Sequence, residues 1–227
     1  MKRSLLALVV AGCTNDVDPA WQLDHDRVIA VRATPPHITS GQTSELAALL
    51  GFKGAPPAEA DPDTLAVVSP TNLASIVSRP GAHWVVTAPS DAQIAAARTQ
   101  LGLATDAPVP AQLRMVFANG MVGLKVVWLG DSGDNPMLGP VMIDGADQSA
   151  ATSLTVGKAV DVPTQVDFDI EHYDVNWLTS CGTMHDFDLA KGYLRVEPED
   201  PQSGTFAVVV RDKLGGVAWQ LWPISAQ

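Results

Sequence analysis

Three residues of the kind that hydrolases use for acyl transfer occur beyond the middle of the chain. Ser132 follows a predicted strand, in the stretch Gly130-Asp131-Ser132, and Asp169 stands three positions before His172. In a catalytic triad a histidine takes the proton from the serine hydroxyl, and a carboxylate orients that histidine. The sequence therefore allows a triad of Ser132, Asp169 and His172, provided that the fold brings the two segments together.

The serine stretch and the Asp169-x-x-His172 pattern resemble the two sequence blocks of GDS-type esterases. This resemblance implies a serine hydrolase that uses Ser132. Here, however, about 40 residues separate the two blocks and the surroundings read as β-strand, whereas that family places its blocks far apart on a fold with helical crossovers. Small polar residues at a linker are also ordinary turn chemistry. We assign no catalytic residue on this pattern, and the hydrolase stays an alternative.

The same stretch can be interpreted as a metal site. Asp131, Asp134 and Asn135 precede Pro136, and this order resembles the calcium-binding linkers between cadherin repeats, with a spacing that differs by one residue. Calcium takes six to eight oxygen ligands in flexible geometry, which an Asp/Asn loop can supply. The resemblance implies bound Ca²⁺ at Asp131, Asp134 and Asn135. The alternative is a capped turn between two domains.

The chain has six tryptophans, and exposed tryptophans form sugar-binding platforms on some β-sandwiches. Three of them lie in apolar alternation and are expected in the core: Trp84, Trp128 and Trp177. Trp219 and Trp222 fall on opposite faces of the last predicted strand, so only one of them fits inside its own domain. The polar neighbours of Trp222 favour it for a surface or interdomain contact, which keeps a carbohydrate-binding protein as a further alternative.

The charge of the chain excludes one class of partner. There are 14 Lys and Arg residues against 25 Asp and Glu, a formal net charge of -11. Such a chain repels polyanions, so no nucleic-acid partner is expected. With 46% hydrophobic residues the chain can still bury substantial cores.

The first residues have the composition of an export signal. Lys2 and Arg3 precede an apolar run, Leu5 to Ala11, which is far shorter than the ~20 residues of a membrane-spanning helix. The run ends in Val10-Ala11-Gly12-Cys13, which resembles the lipobox of bacterial lipoproteins. An ordinary cleaved signal, or a start codon placed too late, is the alternative.

The lipobox resemblance implies removal of residues 1–12 and acylation of Cys13, with palmitate among the expected chains. About two acyl chains suffice for stable attachment to a bilayer. Thr14 stands where an aspartate would resemble an inner-membrane retention signal, so we expect the outer membrane. Once lipid occupies Cys13, Cys181 is the other cysteine of the chain and has no intrachain disulfide partner.

Composition divides the rest of the chain into four segments. We predict an acidic, flexible tether at 13–26, a β-sandwich at 27–130 with a helical insertion near 91–101, a Gly/Pro/Asp linker at 131–140, and a second β-sandwich at 141–227. Short alternating segments separated by turn residues indicate the strands, among them Thr155 to Val162 and Val166 to Ile170. The proline- and alanine-rich stretch from Gly54 to Asp63 is predicted to be a loop. Ser90 and Gly102 are suited to cap the helix.

The second domain carries the more specific resemblance. Val175-Asn176-Trp177, the stretch from Gly204 to Asp212, and the Gly215-Gly216 pair are similar to the second half of bacterial immunoglobulin-like and polycystic-kidney-disease-type modules. Tandem sandwiches behind a lipobox resemble surface lipoproteins of the kind abundant in myxobacteria. The expected fold is mainly β, with two immunoglobulin-like β-sandwich domains. The expected function is a binding or structural module of the envelope, without catalytic activity, whose partner is an envelope protein or a glycan.

Overall fold

A computed structural model describes residues 19–227 of the protein. The predicted signal at 1–12, the acylation site Cys13 and residues 14–18 lie outside the described residues. Almost all regular structure is β-strand, arranged in four sheets that form two sandwiches. No helix in the described part is long and apolar enough to cross a membrane.

Nine strands build the first sandwich. One sheet has the order β1-β3-β7-β6, with β4 paired to β3, and the other has the order β2-β9-β8-β5. The strands are β1 Arg27–Thr34, β2 His37–Ile38, β3 Thr43–Phe52, β4 Ala55–Ala60, β5 Thr64–Ser69, β6 Val77–Ser78, β7 Val85–Thr87, β8 Val109–Val116 and β9 Val122–Leu129. The alternating burial of β8 and β9 explains their strand structure, because one face of each is apolar and faces the opposite sheet.

One α-helix, α1 Asp91–Leu101, and two short 3-10 helices, Thr71–Ile76 and Ala118–Gly120, interrupt the strands of the first sandwich. Ser90 and Gln93 form a reciprocal capping box at the start of α1, and Gly102 ends it in the left-handed region with φ 67°. Ile94 and Ala97 are the residues that the helix buries. The predicted helical insertion and both of its caps are confirmed.

Nine further strands build the second sandwich. Its sheets have the orders β11-β10-β13-β16-β15 and β12-β18-β17-β14. The strands are β10 Val141–Ile143, β11 Ala146–Asp147, β12 Leu154–Val156, β13 Asp161–Val166, β14 Tyr173–Thr179, β15 Thr183–His185, β16 Lys191–Arg195, β17 Ser203–Asp212 and β18 Val217–Ala226. In both sandwiches a short early strand pairs in parallel with the last strand: β2 with β9, and β12 with β18. The predicted mainly-β fold with two β-sandwiches is confirmed.

Several predicted strand boundaries are wrong. Residues 54–63 are predicted to be a loop, yet Ala55–Ala60 is an edge strand. An edge strand leaves some backbone N–H positions without a partner strand, so it tolerates two prolines, which have no N–H to donate. The predicted strand from Thr155 to Val162 is broken after Val156 by a turn in which Ala159 has φ 55°. The acidic stretch 167–172 is a loop, since β13 ends at Val166.

The predicted flexible tether is wrong for its described part. Trp21 packs on the core of the second sandwich, and Leu23 is buried at 1% exposure between the two sandwiches. The backbone of this segment brackets Thr179 of β14: Leu23 N donates to Thr179 O at 2.9 Å, and Thr179 N donates to Trp21 O at 2.9 Å. We call residues 19–26 the strap. Its two large apolar side chains explain why it folds against the protein instead of remaining in solvent.

Candidate functional site

The two sandwiches meet through an apolar cluster of their own, separate from the two domain cores. Its members come from both sandwiches and from the strap: Leu23, Ile29, Ala30, Leu49, Leu178, Ala207, Val209, Val217 and Trp219. Ile29 lies on β1 of the first sandwich, and Val209 and Val217 lie on β17 and β18 of the second. We call this contact the joint.

The turn between β17 and β18 is the main polar component of the joint. Asp212 Oδ1 shapes this turn by accepting from Leu214 N at 2.8 Å and from Gly216 N at 2.7 Å. The turn then docks on the first sandwich: the Leu214 carbonyl lies 3.1 Å from His37 Nε2, and Lys125 Nζ donates to the Gly215 carbonyl. Gly215 has φ 94°, a conformation that glycine adopts without steric cost.

An open cleft of about 370 Å³ lies beside this turn. Its walls are residues 28–31 of β1, residues 122–126 of β9, and residues 211, 212 and 215–217 of the second sandwich. Because β1 and β9 belong to opposite sheets, the cleft opens at the edge of the first sandwich, and the second sandwich closes one side. The volume falls within the range of small-molecule sites, and the joint is a typical position for one.

Two cationic side chains line the cleft. Lys125 is only 8% exposed, and burial lowers the pKa of its ammonium to about 8, while Asp212 opposes this shift and Arg211 adds to it. Burial also lowers the pKa of Arg211, against the opposing influence of Asp174. Arg211 donates to Asn176 Oδ1 at 2.5 Å and to the Ile29 carbonyl of the first sandwich at 2.6 Å.

The structure does not bring the predicted triad together. Asp169 Oδ2 lies 2.7 Å from His172 Nδ1, in an exposed loop of the second sandwich. The backbone N of Glu171 and the His172 ring lower the pKa of this carboxyl. Ser132 lies in the linker, where its backbone N donates to Asp131 Oδ1 at 2.7 Å. No contact among residues 19–227 joins Ser132 to either partner, so the structure does not assemble this triad.

The linker residues proposed for calcium serve other contacts. Asn135 spans the joint, since its Nδ2 donates to the Ala33 carbonyl at 2.8 Å and its Oδ1 accepts from Val217 N at 2.8 Å. Asp131 Oδ2 lies 3.4 Å from His37 Nδ1, and Asp134 is exposed. In the described part of the chain no group of three or more His, Cys, Asp or Glu side chains is placed to hold a metal ion. This geometry does not support the calcium site.

The prediction that Trp222 lies at a surface or an interdomain contact is wrong. Trp222 is fully buried in the core of the second sandwich, where its Nε1 donates to the Gln148 carbonyl at 3.1 Å. Trp219 occupies the other face of β18 and belongs to the joint, with its Nε1 donating to Glu59 Oε1 at 2.9 Å. All six tryptophans fall within residues 19–227, and none of them is exposed. Trp21, Trp84 and Trp128 are partly buried, and the buried Trp222 is not available as a platform for a sugar.

Sequence reasoning missed Lys125 and Arg211. The signal for Lys125 is its place in β9, where it shares the inward face with Val127 and Leu129. A lysine at an apolar position of an alternating strand indicates a buried cation with a specific partner. Arg211 had no comparable signal, because it follows Val210 at the end of an apolar run.

Comparisons with known proteins give structural likenesses alone. No family model and no curated protein matches the chain. Among solved structures, the Ig1-2 module of the Drosophila receptor protein tyrosine phosphatase DLAR has a TM-score of 0.32 at 12% identity, covering 89% of this chain and 98% of that one. The titin domains Z1Z2 in complex with telethonin have a TM-score of 0.24 at 15% identity, covering 88% and 98%. Fibronectin(III)-like modules of Clostridium thermocellum CbhA have a TM-score of 0.27 at 12% identity, covering 87% and 94%.

Proposed function

We propose that this chain is a lipid-anchored protein of the cell envelope, in the outer membrane, in which two joined β-sandwiches act as a binding or structural module. The observation that carries the proposal is the joint. An apolar cluster shared by both sandwiches, together with hydrogen bonds from Asn135 and Arg211 to both sides, favours one arrangement of the two domains. A module that presents or spaces a surface requires such a fixed arrangement.

Residues 14–18 limit the distance between this module and the proposed anchor. Five residues, 14–18, separate Cys13 from Pro19, where the described chain begins. Even fully extended, this segment spans only about 20 Å. An acylated Cys13 would therefore hold the strap and the adjoining edge of the second sandwich close to the membrane surface.

Metabolic labelling with palmitate tests the anchor. The full chain, expressed in a Gram-negative host, is expected to incorporate label and to sediment with the outer-membrane fraction, whereas Cys13→Ser is expected to do neither. Cys181→Ser is the matched control, because Cys181 is the other cysteine of the chain and is buried; it should label as the parent does. Label or unchanged membrane fractionation in Cys13→Ser would overturn the anchor.

We assign no catalytic activity to this module. The support is that Ser132 has no contact with Asp169 or His172 among the described residues, and a serine hydroxyl without a general base is a weak nucleophile. Hydrolysis of p-nitrophenyl acetate is expected to equal the protein-free rate for the parent and for Ser132→Ala alike. Turnover that depends on Ser132 would replace this proposal with the hydrolase.

A further inference from the structure

The cleft at the joint is cationic, although the chain as a whole carries a net charge of -11. Of the residues that line it, Lys125 and Arg211 are cationic and Asp212 is the one carboxylate. One oxygen of Asp212 is already engaged by the backbone N–H groups of Leu214 and Gly216. The cleft thus combines two cations with one carboxylate, a formal excess of one positive charge.

Lys125 is buried with few partners. A lysine ammonium has three N–H donors, and the contacts in the described part of the chain supply one acceptor for them, the Gly215 carbonyl. A buried cation without a full set of acceptors is unfavourable, because it has lost its water and gained little in exchange. An anionic group in the cleft would supply both the missing acceptor and the compensating charge.

A third cation, Arg27, lies near Arg211 but outside the lining of the cleft. Arg211 is next to Arg27, and burial together with Arg211 lowers the pKa of Arg27. Arg27 Nη1 donates to the Ala20 carbonyl at 2.8 Å, but its Nε and Nη2 are buried and have no hydrogen-bond partner among the described residues. Arg27 therefore adds to the positive charge beside the cleft.

The walls of the cleft are apolar, which limits the kind of anion that fits. Val28 and Val31 line it from β1, Val122 and Val126 from β9, and Val217 from the second sandwich. We propose that the cleft binds a small organic anion, with a single carboxylate or sulfonate at Lys125 and an apolar body between β1 and β9. An inorganic anion would leave these valines uncovered, and the cleft is too small for a macromolecule.

This proposal does not depend on the lipid anchor, and a matched pair of probes tests it. Naphthalene-2-sulfonate and naphthalene-2-sulfonamide have nearly the same shape and differ in charge. Each is titrated by calorimetry into the purified full chain in non-ionic detergent, with the protein-free detergent titration subtracted. We expect saturable binding of the sulfonate at one site, about ten- to hundredfold tighter than the sulfonamide, the range of a charge-assisted hydrogen bond.

Lys125→Met removes the ammonium at similar volume and is expected to abolish the preference for the sulfonate, leaving the sulfonamide affinity unchanged. Lys158→Met, at an exposed lysine outside the cleft, is the matched control and should retain the preference. Absence of saturable sulfonate binding, equal affinities of the two probes, or an unchanged preference in Lys125→Met would overturn the proposal. If Lys125→Met does not fold, the comparison of the two probes on the parent chain decides.

Discussion

The guanidinium of Arg32 lies over the ring of Trp219, with Arg32 Cζ 4.1 Å from the ring centroid. Arg32 belongs to β1 of the first sandwich and Trp219 to β18 of the second. Glu59 connects the pair, since its Oε1 accepts from Trp219 Nε1 at 2.9 Å and lies 3.6 Å from Arg32 Nη2. The indole of Trp219 therefore makes a cation–π contact and a hydrogen bond across the joint. Its two partners, Arg32 and Glu59, form an ion pair with each other within the first sandwich.

We predict that Trp219 couples the unfolding of the two sandwiches. Trp219→Ala removes a buried indole from the joint, which should lower the free energy of unfolding by about 3–5 kcal/mol. Scanning calorimetry of the parent should show one transition, whereas Trp219→Ala should show two, because neither domain core contains this residue.

Trp84→Ala is the matched control. Trp84 also lies near an arginine, Arg79, with 5.7 Å from Cζ to the ring centroid, and also donates its Nε1 to a carbonyl, that of Pro62. All these contacts are within the first sandwich. This variant should therefore lose stability but keep a single transition. A single transition in Trp219→Ala as well would show that other contacts couple the domains.

Local signals determined which elements could be predicted. Helix α1 carries its caps within its own sequence, so Ser90 and Gly102 located both ends. The break after Val156 was missed because the left-handed conformation of Ala159 is unusual for a residue with a Cβ atom. The β4 strand was missed because its prolines favour a loop unless the strand lies at an edge.

The joint could not be predicted because its contacts join residues that are distant in sequence. Lys125 and its acceptor Gly215 are 90 positions apart, and Arg211 and Ile29 are 182 positions apart. The spacing of Trp219 and Trp222 did predict that one of the two side chains lies outside the core of the second sandwich. Which one does so depends on the register of β18 against β17, where Trp222 pairs with Phe206 and Trp219 with Val209.

We predict that Lys125 makes the free energy of unfolding rise with pH in the alkaline range. Its pKa in the folded protein is about 8, against an ordinary value of 10.5. Between these two pH values Lys125 keeps its proton in the unfolded chain and has lost it in the folded protein, so the free energy of unfolding rises with pH. Below about pH 8 the folded protein buries the charged ammonium, and the resulting destabilisation is fully present. The rise should amount to about 3 kcal/mol.

Urea unfolding at pH 7, 8, 9 and 10 measures this effect as the difference between the parent and Lys125→Met. The variant should lack the rise assigned to Lys125, and at pH 7 it should be at least as stable as the parent, because it no longer buries a charge. The exposed Lys158 provides the control, and Lys158→Met should follow the pH profile of the parent. Parallel profiles for the parent and Lys125→Met would contradict the prediction.

Asn135 is expected to act as a structural bridge and not as a calcium ligand. Asn135→Ala removes two hydrogen bonds across the joint and leaves the Ala33 carbonyl and Val217 N without their partner, so we expect a loss of about 1–3 kcal/mol in the free energy of unfolding.

Calcium up to millimolar concentration should leave the melting temperature of the parent unchanged. Asp134→Ala, at an exposed position in the same linker, should be neutral; a calcium-dependent rise lost in Asp134→Ala would restore the metal site.

The strap is expected to contribute to stability as part of the folded protein. Leu23 is fully enclosed by the joint, so Leu23→Ala should cost about 2–5 kcal/mol and should release the strap from Thr179. Limited proteolysis followed by mass spectrometry should then detect cleavage within residues 19–26 at protease concentrations that leave the parent intact. Leu103→Ala, at a leucine that is 37% exposed, is the control and should leave cleavage in the strap unchanged. No cleavage within residues 19–26 of Leu23→Ala at these protease concentrations would contradict the prediction, because the strap would then stay on the protein without this side chain.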